Sequence, residues 1–362
     1  MAESVAIIGA GVSGLTCGVV FAEHGHGTVI FAKEVAQQTT SGAAAAVWFP
    51  YDAEPLEKVI PWALKTFDVL ADLARVPATG VSMIELRQFS RTREIQIPDW
   101  AIPLGAQTVI PSSLSVIPSS LSVIPSSLSV ILSEVEIGAA REAATWTGRP
   151  EAERTGGERI TSLESFSSGF SLRVPLMDTT IYLDYLANRF VTAGGSIAAN
   201  VHFNKLEEVD RKFDLVINCA GIGARDLVQD VNLEPHRGQV VIVPKIENLP
   251  CAIVCDDAPL MYAIPRRNDC VFGGTNEISD DLDVDPRSTA RILDECSRVL
   301  NIDKPRVTAE RVGLRPFRKS GVRLERDQLC DGRTVIHNYG HGGAGFTLSW
   351  GCAREVLDTA TL

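Results

Sequence analysis

Two glycine-rich turns, and the polar residues beside them, are where this chain could do chemistry. The first is Gly9-Ala10-Gly11-Val12-Ser13-Gly14, a Gly-x-Gly-x-x-Gly entered from the apolar residues 5–8. Gly9 permits a tight turn, Gly11 lets a pyrophosphate approach the backbone, and Gly14 lets helix and strand pack closely. The helix that follows offers unpaired N–H groups and a positive dipole end to phosphates. That is the chemistry of holding a dinucleotide. The second turn lies in residues 337–351, where Gly340, Gly342, Gly343 and Gly345 lead from a strand at 334–338 into a C-terminal helix. Ala344, Phe346 and Thr347 would sit at this second helix N-terminus, again facing a ligand. Thr39, Thr40 and Ser41 supply hydroxyls for phosphate oxygens, and Ala44, Ala45, Ala46 and Val47 are small enough for a flat ring to lie against the backbone. At the end of the second strand, where a ribose usually meets an acid, the chain has Lys33-Glu34, and Glu34 could serve.

These turns need a frame to hold them. A helix over 15–25 and a second strand over 28–32 follow the first turn at the spacing of a βαβ unit. Residues 213–218 read as a buried strand of the same parallel sheet, delivered into a third turn at Ala220-Gly221. Apolar residues at helical spacing predict a helix over 57–76, residues 81–89 read as a strand, and the chain becomes regular again at 170–175. A further helix over 180–193 is closed by Gly194-Gly195. Short β-like runs at 239–243, 259–264 and 270–274 suggest an antiparallel sheet walling a substrate pocket. Asp285-Pro286 opens a helix that runs to Leu300. Residues 109–129 carry Val-Ile-Pro-Ser-Ser-Leu-Ser three times over, with a proline in each copy that rules out a coiled coil. An extended excursion is expected there, continued by a linker-like run to about residue 157.

The bulk properties narrow the class. A net charge of −11 argues against nucleic acid and anionic membranes as partners. No apolar run reaches the length of a membrane span, and the first strand begins too early to leave room for a signal peptide. The last three residues are not a peroxisomal address, so the expected location is the cytoplasm. Cys251 and Cys255 lack a second pair to complete a zinc set, and the eight cysteines read as reduced thiols. His337 and His341 have no acidic or cysteine partner, so no metal is expected.

Together, the stretches 9–14, 39–51, 313–325 and 337–351 resemble the D-amino-acid oxidase family of FAD enzymes. Asn218-Cys219-Ala220-Gly221, His236-Arg237-Gly238-Gln239 and Tyr262-Ala263-Ile264-Pro265 fit its middle. The resemblance implies an α/β plus antiparallel-β architecture: a Rossmann-like FAD-binding domain (1–80, 171–235, 325–362) joined to a mainly antiparallel substrate domain (81–170, 236–324) with the repeat as an insertion. It implies FAD contacts at Gly9, Ala10, Gly11, Val12, Ser13, Gly14, Lys33, Glu34, Thr39, Thr40, Ser41 and 44–47. Phe203, Ala220, Gly221 and 342–347 complete that set, with the flavin near Ala44–Val47 and Gly342–Thr347 and His341 shaping its surroundings. Arg315 matches the family arginine that clamps the substrate α-carboxylate, Tyr262 a tyrosine on the same carboxylate, and Gly343 the glycine whose carbonyl accepts from the amine. The family's second active-site tyrosine falls on Ala258 or Asn276, so it has no counterpart at those positions.

The activity implied is oxidative deamination of D-amino acids to 2-oxo acids, ammonia and hydrogen peroxide, with Cα hydride passing to flavin N5 and oxygen as the electron acceptor. A glycine/sarcosine oxidase, a D-aspartate oxidase using Arg266 and Arg267 for the second carboxylate, an NADPH-dependent monooxygenase, and a flavoprotein of binding or assembly role with the repeat as its contact surface are the alternatives. A homodimer is a candidate assembly.

Overall fold

Residues 5–8 are buried on both faces, as a strand in the middle of a parallel sheet must be. A computed structural model describes residues 3–111 and 166–361; the Pro/Ser repeat beyond Pro111 and the run to residue 157 lie outside the described residues. In chain order the elements are β1 (Ser4–Ala10), α1 (Val12–Glu23), β2 (Gly27–Val35), α2 (Thr40–Ala43), α3 (Leu56–Leu73), β3 (Val81–Ser90), β4 (Gln107–Val109) and β5 (Ser168–Met177). There follow α4 (Thr179–Thr192), β6 (Ser196–Ala199), β7 (Leu215–Asn218), α5 (Ala224–Leu227), β8 (Leu233–Pro244), β9 (Cys251–Cys255), β10 (Met261–Pro265), β11 (Asp269–Gly273) and β12 (Glu277–Ile278). The last are α6 (Pro286–Leu300), β13 (Ala309–Arg318), β14 (Arg323–Gln328), β15 (Thr334–Tyr339) and α7 (Gly345–Ala360).

Two sheets organise them. A six-stranded sheet runs β14-β15-β7-β1-β2-β6, parallel except for β14. Helix α1 packs between α4 and α7, and α3 packs on α7. The nine-stranded sheet runs β12-β8-β11-β10-β9-β3-β5-β4, with β13 pairing β8 along its whole length. One face of this sheet (Phe89, Ile253, Met261, Ala263, Phe272) is sealed by Ile292, Cys296, Val299 and Leu300 of α6. The other face (Leu86, Ala252, Ile264) joins the main core beneath the six-stranded sheet, and a substrate site can only lie on that side.

The helix predicted from Asp285-Pro286 forms as expected: the Asp285 carboxylate accepts from the N–H groups of Arg287 and Ser288. The strand Cys251–Cys255 was not foreseen. Its two cysteines are buried in the α6-facing core, and burial pushes the Cys251 thiol up to about 11, so it is a packing residue. The expected break at 170/171 cuts through β5, which belongs wholly to the nine-stranded sheet, and β14 begins at 323 in the six-stranded one.

A buried polar knot ties the two sheets together. Asp230 accepts from Arg318 Nε (2.7 Å) at the end of β13 and from Tyr339 Oη (2.8 Å) at the end of β15, and Arg323 Nη1 donates to the same tyrosine oxygen. Burial alone would raise the Asp230 carboxyl, but the hydrogen bonds from Arg318 and Tyr339 outweigh it and the net shift is downward. A carboxyl lowered on folding contributes stability above its unfolded pKa, and that contribution disappears as pH falls through the folded value. Asp230→Asn is therefore expected to cost about 3 kcal/mol at pH 7, because Arg318 is left without its charge partner. In urea unfolding, the gap between wild type and variant should close as pH drops below about 4.

Candidate active site

The first glycine turn is built by collision. Gly9 has φ +109°, and a Cβ there would overlap the Cys219 carbonyl at the end of β7; a Cβ on Gly14 would overlap the Gly9 carbonyl. Strand, turn and helix thus touch through backbone. Gly11 caps α1 with no side chain, and a Cβ on it would stand 3.0 Å from Ser41 Oγ, in the cradle where phosphate would lie. Ser41 Oγ accepts from Val12 N at 3.0 Å, and Thr39 Oγ1 donates to the Ala36 carbonyl. Thr40 is exposed beside them. Ser13 Oγ exchanges hydrogen bonds with Asn338, which ties this turn to β15. Ala10 is buried, whereas Ala220, against Gly9, and Gly221 are half-exposed. Lys33 and Glu34 are exposed at the end of β2, and half-buried Phe203 stands edge-on to Phe31 of that strand. An uncapped helix N-terminus lined by glycine and hydroxyls fits a pyrophosphate.

The small-residue strip is pinned flat. Met177 N donates to the Ala46 carbonyl, Trp48 N to the Pro175 carbonyl, and Val47 bridges Leu176, all on the end of β5. Ala44 and Ala45 are half-buried beside it. Strand β13 crosses close by: Gly313 lies against Ala43 and Thr40, and Arg311 Nη1 donates to the Gly42 carbonyl. The second glycine turn is stitched to the same strand, with Gly342 N donating to Pro316 O at 3.0 Å and Phe317 bridging His341. Helix α7 starts at Ala344 without a side-chain cap, followed by Gly345 and buried Phe346. The Thr347 hydroxyl is committed to the Phe49 backbone, donating to its carbonyl and accepting from its N–H. His341 is buried and pushed down to about 4 by that burial, so it is a neutral ring whose Nε2 donates to Asn338 Oδ1 (3.0 Å).

Between these two walls stands Arg315. It pairs with His236 in the β13–β8 ladder, and its guanidinium lies over Gly238, where any Cβ would collide with it. Nη1 donates to the Thr275 carbonyl at 3.0 Å. Tyr262, across the sheet, rests its ring on Gly273 and Gly274; burial raises its hydroxyl pKa, and the charge of Arg315 and a hydrogen bond from it oppose that rise. Gly343 lies against the ring of Tyr51.

Tyr51 itself was not assigned a role from sequence. Its Oη accepts from Asn276 Nδ2 at 3.3 Å, at the very position where a family tyrosine was absent. Burial, with the charge of Asp256, pushes it up to about 12, while Arg315 opposes. Only the tertiary approach of the second glycine turn places it there, so the sequence signal was no more than its position at the end of the hydroxyl–alanine stretch. Both tyrosines keep their protons at neutral pH and can donate to a carboxylate. Arg266 does not join this group: it is buried in a bidentate pair with Asp269 (2.7 and 2.8 Å), which counts against the alternative in which it receives a second substrate carboxylate, while Arg267 is exposed. Among the described residues no cluster could hold a metal ion, and no helix is long and apolar enough to cross a membrane.

Comparison with known proteins bears on the family and the fold. The sequence model for the family described as FAD dependent oxidoreductase matches residues 4–359. The D-amino-acid oxidase of Rubrobacter xylanophilus is 35% identical over 362 residues, covering 98% of this chain and 94% of that protein. That of Streptomyces coelicolor is 34% identical, with 99% and 96% covered. The crystal structure of glycine oxidase from Geobacillus kaustophilus superposes with a TM-score of 0.73 at 16% identity, covering 99% and 95%, and shows the shared fold.

Proposed function

This chain belongs to the FAD dependent oxidoreductase family, and we propose that within it the protein is a D-amino-acid oxidase, converting a D-amino acid and oxygen to a 2-oxo acid, ammonia and hydrogen peroxide. The observation that carries the reading is Arg315, held over Gly238 beside Tyr262 and between the two glycine-lined walls. A guanidinium presents two parallel donors to a carboxylate, and the protonated Tyr262 hydroxyl adds a third. The Gly343 carbonyl accepts from the substrate amine. With carboxylate and amine both anchored, the two enantiomers differ only in whether hydrogen or side chain faces the cofactor wall.

FAD, when bound, supplies the redox chemistry, taking hydride from Cα and passing two electrons to oxygen. Residues 9–14, 33–34, 39–41, 44–47, 203, 220–221 and 342–347 would hold it. The protein's own share is orientation and charge, with no side-chain acid or base required. The six-stranded sheet with its helices forms the cofactor domain and the nine-stranded sheet the substrate domain in this reading. The protein would act in the cytoplasm, and a homodimer is its candidate assembly.

A peroxide assay over matched D- and L-amino acids tests the proposal. Peroxide from D-isomers supports it, peroxide from L-isomers or only with NADPH present contradicts it, and turnover confined to glycine and N-methylglycine would favour the glycine oxidase alternative. Tyr262→Phe removes one of three donors to the carboxylate and is expected to lower kcat/KM about tenfold, mostly through KM. Steady-state kinetics with the best D-substrate check this; an unchanged KM would take Tyr262 out of the substrate's contacts.

A further inference from the structure

The substrate face of the nine-stranded sheet carries one charge with no assigned role. Val254 of β9 pairs with Gln88 of β3 on one side and Tyr262 of β10 on the other, so these three side chains rise from the same face. Asp256 follows two residues after Val254 and returns to that face, where Gln88 Nε2 donates to its Oδ2 at 2.8 Å. The residue is exposed by surface area, yet burial raises its carboxyl. The Tyr51 hydroxyl feels both the negative charge of Asp256 and the positive charge of Arg315, so the two charges share one neighbourhood.

Among the described residues no lysine, arginine or histidine forms an ion pair with Asp256; the exposed Arg93 offsets its charge from a distance, and Asp257 and Asp52 add negative charge. Asp257 is engaged elsewhere, by Ser90, Arg91 and Thr92, and Asp52 faces His236 at 3.3 Å. A second observation is independent of the charge. Gln88 is only 6% exposed, and its Oε1, the other end of the amide that serves Asp256, is buried without a hydrogen-bond donor. An exposed carboxylate that forms no ion pair, fixed in place by a buried amide, is a place for a donor-rich cation.

We propose that Asp256 sets the side-chain preference of this site, selecting D-amino acids whose side chain ends in an ammonium or guanidinium group, which donates to the Asp256 carboxylate. The inference rests on the reading of the site as a D-amino-acid oxidase. The α-carboxylate goes to Arg315 and the side-chain cation to Asp256, so substrate and site carry opposite charges in the same order. An acidic side chain would meet like charge and be disfavoured.

The test compares D-lysine with D-norleucine, and D-arginine with D-citrulline, in the FAD-loaded wild type and in Asp256→Asn. In the wild type the cationic member of each pair should have at least a tenfold higher kcat/KM, and the substitution should reduce that ratio tenfold or more. A parallel titration reads binding alone: 6-aminohexanoate against hexanoate, followed through the visible absorbance of the flavin, should show a preference for the amine that Asp256→Asn abolishes. Equal ratios in wild type, or ratios that survive the substitution, overturn the proposal. If no D-amino acid is oxidised, the underlying activity is wrong, and the binding ratio still decides the role of Asp256. Should Asp256→Asn misfold, the wild-type ratios and Asp256→Ser give the answer.

Discussion

Replacing Arg315 by alanine is expected to lower kcat/KM for a D-amino acid by at least about a hundredfold, equivalent to about 3 kcal/mol of transition-state binding. The size follows from what is left behind. The substrate carboxylate enters beside the half-buried Tyr262, while Arg266 is already paired with Asp269 and Arg267 is exposed. An anion desolvated there without its cation loses most of its binding energy. The protein around position 315 should tolerate the change, because among the described residues no carboxylate pairs with Arg315 and its hydrogen bonds reach only the Thr275 carbonyl and the Tyr262 hydroxyl. A variant that unfolds at the wild-type temperature and stays yellow, yet turns over a hundredfold less efficiently, is the expected result. Lysine at 315 should recover only part of the loss, since a point charge cannot offer two parallel donors. Unchanged kcat/KM in the alanine variant would remove Arg315 from the substrate site.

Gly9→Ala is expected to abolish FAD retention. The new Cβ would overlap the Cys219 carbonyl, and φ +109° is a conformation an alanine avoids. Both partners in the collision are backbone, so neither can rotate away. Relief requires β1 or β7 to shift, and these strands pair residue by residue from Val5–Leu215 to Ile8–Asn218. The turn that would receive the pyrophosphate then opens, and a cost of about 3 kcal/mol or more in stability accompanies it. The ratio of visible to ultraviolet absorbance after purification reads cofactor retention, and a thermal melt of the colourless fraction reads the fold. A variant that keeps full colour would show that this turn does not receive the cofactor.

How much of this was legible in the sequence depends on how local the signal was. The turn at 9–14, the capped helix from Asp285 and the glycine-led helix at the C-terminus rest on neighbours within a few residues, and each forms where expected. Arg315 could be singled out only by resemblance, since its partner Gly238 lies on another strand and the overlap between them is a tertiary fact. Tyr51 was in plain view, but its meaning comes from Asn276 and Gly343, more than two hundred residues away. Asp256 carried no signal at all: the face it occupies depends on the pairing of Val254 with both Gln88 and Tyr262. The strand Cys251–Cys255 was missed because five apolar residues without turn signals read equally well as packing anywhere.

The most direct test of the account is to mix the FAD-loaded protein with D-alanine, and separately L-alanine, without oxygen and without NADPH, and to watch the yellow absorbance. The account predicts that the D-isomer bleaches it, that the L-isomer leaves it, and that admitting oxygen restores the colour with release of peroxide. Colour that persists with every D-amino acid until NADPH is added would contradict it.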